Sequence, residues 1–133
     1  MSESNAGPGK VVVNKGGGAG LRRAWSDSEG RIWVSEWNAG KVAVYTPSTG
    51  RWREWRLPGA TPMPYAVYVD ETDAVWLSDF GANALVRFDP KTEKFTRVRL
   101  PSSPANVRNI IGRRGEVWGA ESGVDKLVVV RTR

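Results

Sequence analysis

The stretch Gly30-Arg31-Ile32-Trp33-Val34-Ser35-Glu36 decides how this chain is read. It returns as Ala74-Val75-Trp76-Leu77-Ser78-Asp79 and again as Gly115-Glu116-Val117-Trp118-Gly119-Ala120-Glu121. The three tryptophans fall 43 and 42 residues apart, and a fixed period of about 40–45 residues marks the blades of a propeller. Each copy is short, β-branched and bounded by turn residues, which is the pattern of a strand rather than a helix.

Working outward, the second repeat matches the first at a constant offset. Asp27 falls on Asp70, Ser35 on Ser78, Ala39 on Ala82, Pro47 on Pro90, Arg56 on Arg99 and Pro58 on Pro101. Its strands are expected at Tyr65–Val69, Val75–Ser78, Leu85–Phe88 and Phe95–Leu100, one antiparallel blade. In the first repeat the strands are the Trp33 strand, Lys41–Tyr45 and Arg51–Leu57. In the third they lie near Ile110–Ile111, Val117–Ala120 and Leu127–Val130, with no fourth. The fold class is therefore all-β, a partial propeller of about two and a half to three four-stranded blades. The repeats run 22–64, 65–107 and 108–133, behind a flexible glycine-rich tail, 1–21. Within that tail, residues 10–13 form a candidate strand, expected to pair with Leu127–Val130 and complete the last blade in an intact or assembled propeller.

Composition narrows the chemistry. Twenty Lys and Arg against fourteen Asp and Glu give a net charge of +6, which attracts anions without specifying them. The chain has no Cys and no His. That excludes disulfides, thiolate metal sites, cysteine nucleophiles and the usual neutral-pH general base. No apolar run is long enough to span a membrane, and a cytoplasmic location is expected. The Gly-Lys pair at Gly9-Lys10 lacks the spacing of a phosphate-cradling loop.

Two sets of residues carry functional expectations. Trp33, Trp76 and Trp118 are read as blade-to-blade packing in preference to a ligand-stacking ladder. Glu36, Asp79 and Glu121 stand three residues after each Trp, at the same strand end of every blade. They are candidate ligand residues of the loop face, as oxygen donors for Mg²⁺ or Ca²⁺, and the competing reading makes them turn caps or ion-pair partners. The run Arg51-Trp52-Arg53-Glu54-Trp55-Arg56 has the cations and aromatics of a single-strand binder. Its counterpart Lys94–Arg99 keeps the alternation on an outermost strand, where charge blocks edge association, so nucleic acid is not the expected partner.

Gly-x-Ile-Trp-Val-Ser-Glu, Ala-Gly-Lys-Val, Pro-Ser-Thr-Gly and Trp-Arg-Leu-Pro together resemble the repeat of the streptogramin lyase (virginiamycin B lyase) family, over about Arg22 to Arg133. Gluconolactonase-type propellers are related to it. The resemblance implies a seven-bladed propeller that confers antibiotic resistance by linearising type B streptogramins, through Mg²⁺-dependent elimination with a histidine base. Where the family has a Glu-Pro-His turn before the last Trp strand, this chain has Asn106-Val107-Arg108. The resemblance leaves Glu121 as the one metal ligand and assigns no catalytic residue, because a guanidinium cannot accept the proton. It thus implies a truncated or divergent lyase-like propeller, inactive by itself. A homo-oligomer would be needed to complete the ring, and the alternative is a non-catalytic module binding a small molecule or partner.

Overall fold

The computed structural model describes Gly9 and residues 12–133. Eleven strands form three antiparallel sheets of four, four and three strands. The first blade comprises β1 (Leu21–Ser26), β2 (Ile32–Glu36), β3 (Lys41–Thr46) and β4 (Arg51–Arg56). The second comprises β5 (Pro64–Val69), β6 (Val75–Asp79), β7 (Ala84–Asp89) and β8 (Lys94–Arg99). The third has β9 (Val107–Arg113), β10 (Glu116–Glu121) and β11 (Lys126–Arg131). Each blade is a meander, as short turns between successive strands require.

The turns explain why the repeat tolerates so few changes in length. Gly30, Asp73 and Gly115 occupy the same turn between the first two strands of each blade, with φ of 77°, 64° and 79°. That left-handed region favours Gly and admits Asp or Asn. The first strand of each blade is irregular in register against the second. Ser35 and Ser78 use that irregularity. Ser35 Oγ accepts from Arg23 N–H and donates to the Tyr65 carbonyl at 2.6 Å. Ser78 Oγ accepts from Ala66 N–H and donates to the Val107 carbonyl at 2.6 Å. Each serine thereby ties its own blade to the first strand of the next.

Two cores separate the three blades. Between the first and second lie Trp33, Val42, Val44 and Leu57 against Leu77, Val86 and Phe88, with Trp55 and Phe95 beside them. Between the second and third, Tyr68, Trp76 and Leu85 meet Val107, Ile110 and Val117. Trp33 and Trp76 are fixed at their indole nitrogens. Trp33 Nε1 donates to Asp27 Oδ2 and Trp76 Nε1 to Asp70 Oδ2, both at 2.9 Å. Burial pushes Asp27 up, but hydrogen bonds from Trp33 and Arg31 outweigh it and hold its carboxyl below the usual range.

Two expectations change. Trp118 is not core: it is half-buried, belongs to neither core, and donates to Glu116 two residues back. Among the described residues no blade packs over it, and its cross-strand neighbour Ile111 and nearby Leu127 are 58% and 72% exposed. A strand at Leu21–Ser26 replaces the tail end and unassigned start of the first repeat. Of the candidate strand 10–13, Lys10 and Val11 lie outside the described residues. Val13 and Asn14 line a cavity with Tyr45 and Trp52 of the first blade, so within one chain this segment lies beside the first blade and away from Leu127–Val130. There the segment's Lys15 pairs with Glu36 and Glu54 of the same blade.

Candidate functional site at the loop ends of the blades

Glu36, Asp79 and Glu121 end β2, β6 and β10, so the repeat places all three at one end of their blades. All are buried, at 0%, 2% and 2% exposure. A buried carboxylate needs partners, and each of these keeps at least one oxygen without a hydrogen bond: Glu36 Oε1, Asp79 Oδ2 and Glu121 Oε2. The blades meet this demand differently.

At Asp79, Oδ1 accepts from Met63 N–H at 2.8 Å, from Gly81 N–H at 2.9 Å and from Ala82 N–H at 3.4 Å. It caps its own turn and fastens the loop that enters β5. The turn lies so close to that loop that a Cβ on Gly81 would stand 1.8 Å from the Thr61 carbonyl oxygen. Gly123 repeats the approach in the third blade, 2.0 Å from the Pro104 carbonyl oxygen. In the first blade Asn38 holds this place, and the partner without a side chain is Gly20.

At Glu36 the demand is met from the tail. Lys15 Nζ stands 3.0 Å from Glu36 Oε2 and 2.9 Å from Glu54 Oε2, and Lys41 Nζ reaches Glu54 Oε1 at 2.9 Å. One ammonium serves two acids unequally. Burial pushes Glu36 up, with Lys15 opposing it. Glu54, nearer solvent, is brought down to about 2 by its hydrogen bonds from Lys15 and then Lys41. The pair with Glu54 also raises Lys15, so the ammonium stays charged.

Among the described residues no ammonium lines the hollow at Asp79. A cavity of about 210 Å³ is lined by Asp79, Gly81, Thr61, Arg97 and Arg99 among others. Arg97 holds the repeat position of Glu54. Around Glu121 there is a shallower hollow shared with Ser122, Asp125 and Lys126. A roomier cavity, about 700 Å³, lies at the opposite strand end between Asp70–Thr72 and Arg131–Arg133. It contains none of the three carboxylates.

The chain matches solved structures of propellers. A catalytically inactive virginiamycin B lyase from Staphylococcus aureus, solved with quinupristin, has a TM-score of 0.75 at 21% identity, over 92% of this chain and 45% of that one. A streptogramin B lyase structure gives 0.75 at 19%, over 92% and 44%. A protein of unknown function from Bacteroides caccae gives 0.63 at 15%, over 85% and 46%. The likeness is one of fold. No family model and no curated protein matches the chain, which spans less than half the length of these solved relatives.

The lyase resemblance implies Mg²⁺, and the residues do not fit it unaided. Among the described residues no three acidic side chains converge on one point. Mg²⁺ demands near-octahedral oxygen ligands. At Glu121 it would meet a single orphaned oxygen in a hollow lined by one further acid, Asp125, and one base, Lys126. The three carboxylates are separate sites, one per blade. The sequence reading missed Lys15, Arg97, Arg99 and Gly81. The offset that aligns Arg51–Arg56 with Lys94–Arg99 already puts Arg97 where Glu54 stands, and that charge reversal was the signal.

Proposed function

We propose that this chain is a streptogramin-lyase-like propeller segment that binds a small molecule at the loop ends of its blades and does not itself perform the elimination. The observation that carries this reading is the set of three equivalent buried carboxylates, each with an oxygen left over, in a chain without histidine. Abstracting a proton next to a carbonyl needs a base within hydrogen-bond reach of the substrate. Glu36 is fully buried under Lys15, and Asp79 Oδ1 is committed to backbone N–H groups. Glu36 is thus already occupied, and the remaining oxygen of Asp79 favours holding a ligand's cation over taking a proton.

The test is incubation of the 133-residue chain with quinupristin and Mg²⁺, followed by chromatographic separation of cyclic from linear antibiotic. No linear product is expected at any Mg²⁺ concentration. Linear product that disappears in Glu121→Ala would overturn the binding reading and restore the lyase.

A further inference from the structure

The cavity at Asp79 is a second copy of an arrangement the chain has already filled at Glu36. In the first blade a buried carboxylate, Glu36, takes a primary ammonium, Lys15 Nζ, which is shared with Glu54 at the outer strand. In the second blade the buried carboxylate is Asp79, and its Oδ2 has no partner. Glu54 is replaced by Arg97, joined by Arg99 on the same strand. Neither guanidinium has a hydrogen-bond or ion-pair partner among the described residues. The acid end therefore calls for a cation, and the outer end now calls for an anion.

We propose that this cavity binds a small zwitterion of the α-amino-acid class, its ammonium on the Asp79 carboxylate and its carboxylate on Arg97 and Arg99. Several features converge on that chemistry. A lone cation would engage only the acid end and leave the exposed guanidiniums of Arg97 and Arg99 unused, and a lone anion would meet a buried carboxylate without a counter-charge. Arg is suited to hold a carboxylate with two parallel hydrogen bonds. The volume of about 210 Å³ admits a small amino acid such as glycine or alanine with room to spare, so charge rather than size defines the ligand class. Thr61 and Ala82 in the lining add no further charge. The loop Pro58–Pro62 is held close by Arg56, which donates to the Gly59 and Ala60 carbonyls at 3.0 and 3.2 Å. The cavity wall is thus fixed without a ligand.

The inference deepens the binding reading above, and the two fail separately: streptogramin turnover would remove that reading, whereas the present one stands or falls on the zwitterion alone. Isothermal titration of the full chain at neutral pH, with glycine, acetate and methylammonium in turn, provides the test. Saturable binding is expected for glycine, with acetate and methylammonium at least tenfold weaker. Arg97→Gln changes an exposed side chain and should weaken glycine about ten- to a hundredfold, as removal of a charged hydrogen-bond partner does. Asp79→Asn keeps Oδ1 for the backbone donors and should weaken it similarly; if that variant fails to fold by circular dichroism, Arg97→Gln carries the test. Acetate binding as tightly as glycine would overturn the proposal, as would unchanged affinity in Arg97→Gln or no heat of binding at all.

Discussion

The first and second blades carry the same strand at the same register, yet their acidic ends differ. Glu36 is closed off by an ammonium arriving from outside the repeat, through Lys15, and its outer-strand neighbour Glu54 is an acid that shares it. Asp79 has one oxygen fastening two loops and one left over, and its outer-strand neighbour Arg97 is a base. The repeat thus fixes where a buried carboxylate stands, and what surrounds it is set by residues the repeat leaves free. A propeller can vary its ligands blade by blade without disturbing the tryptophan core beneath, because the two are at different positions on the same strand.

The largest effect should separate core from open face. Trp33→Ala removes a fully buried indole from the core between the first two blades and should cost about 3–5 kcal/mol in urea unfolding. Trp118→Ala, on the open face, should cost about 1 kcal/mol. Equal costs would mean that the third face is covered in solution. Next, Asp70→Ala orphans Trp76 Nε1 and the Ala74 N–H, for about 3 kcal/mol in the same measurement.

Lys15→Met strips the buried Glu36 of its counter-charge and should cost about 2 kcal/mol at neutral pH. The sign with pH follows from the two acids. Glu36 is already raised by burial and rises further without Lys15, so the variant's deficit is full at neutral pH and shrinks as falling pH protonates Glu36. In the parent chain the stabilisation from Glu54 is full above the ordinary value of 4.5 and is lost as pH falls from there to about 2. Much of that acid loss should be missing in Lys15→Met, whose Glu54 retains only Lys41; unfolding curves at stepped pH would read both. The smallest effect, about 1 kcal/mol, is expected for Ser78→Ala, which removes the tie to the Val107 carbonyl.

The fold was legible because the signal for it is periodic. Trp33, Trp76, Ser35, Ser78, Asp27 and Asp70 recur at a fixed offset, and each recurrence proves to be one packing or hydrogen-bonding role repeated. Trp118 misled for the same reason: its period is right, but a period cannot say whether another blade lies over the residue. The acidic positions were legible as positions and not as environments. Lys15 is outside any repeat, and pairs with Glu36 only because the tail lies against the first blade. Gly81 carries no chemical group, and its importance appears only when the Thr61 carbonyl is seen against it.

The claim that the Asp79 end is an open version of what Lys15 closes at Glu36 is tested most directly by a backbone amide NMR titration of the full chain with alanine. Saturating shifts are expected at Thr61, Gly81, Ala82 and Arg97, with Lys15, Glu36 and Glu54 unmoved. No shifts, or shifts spread equally over the two blades, would contradict it.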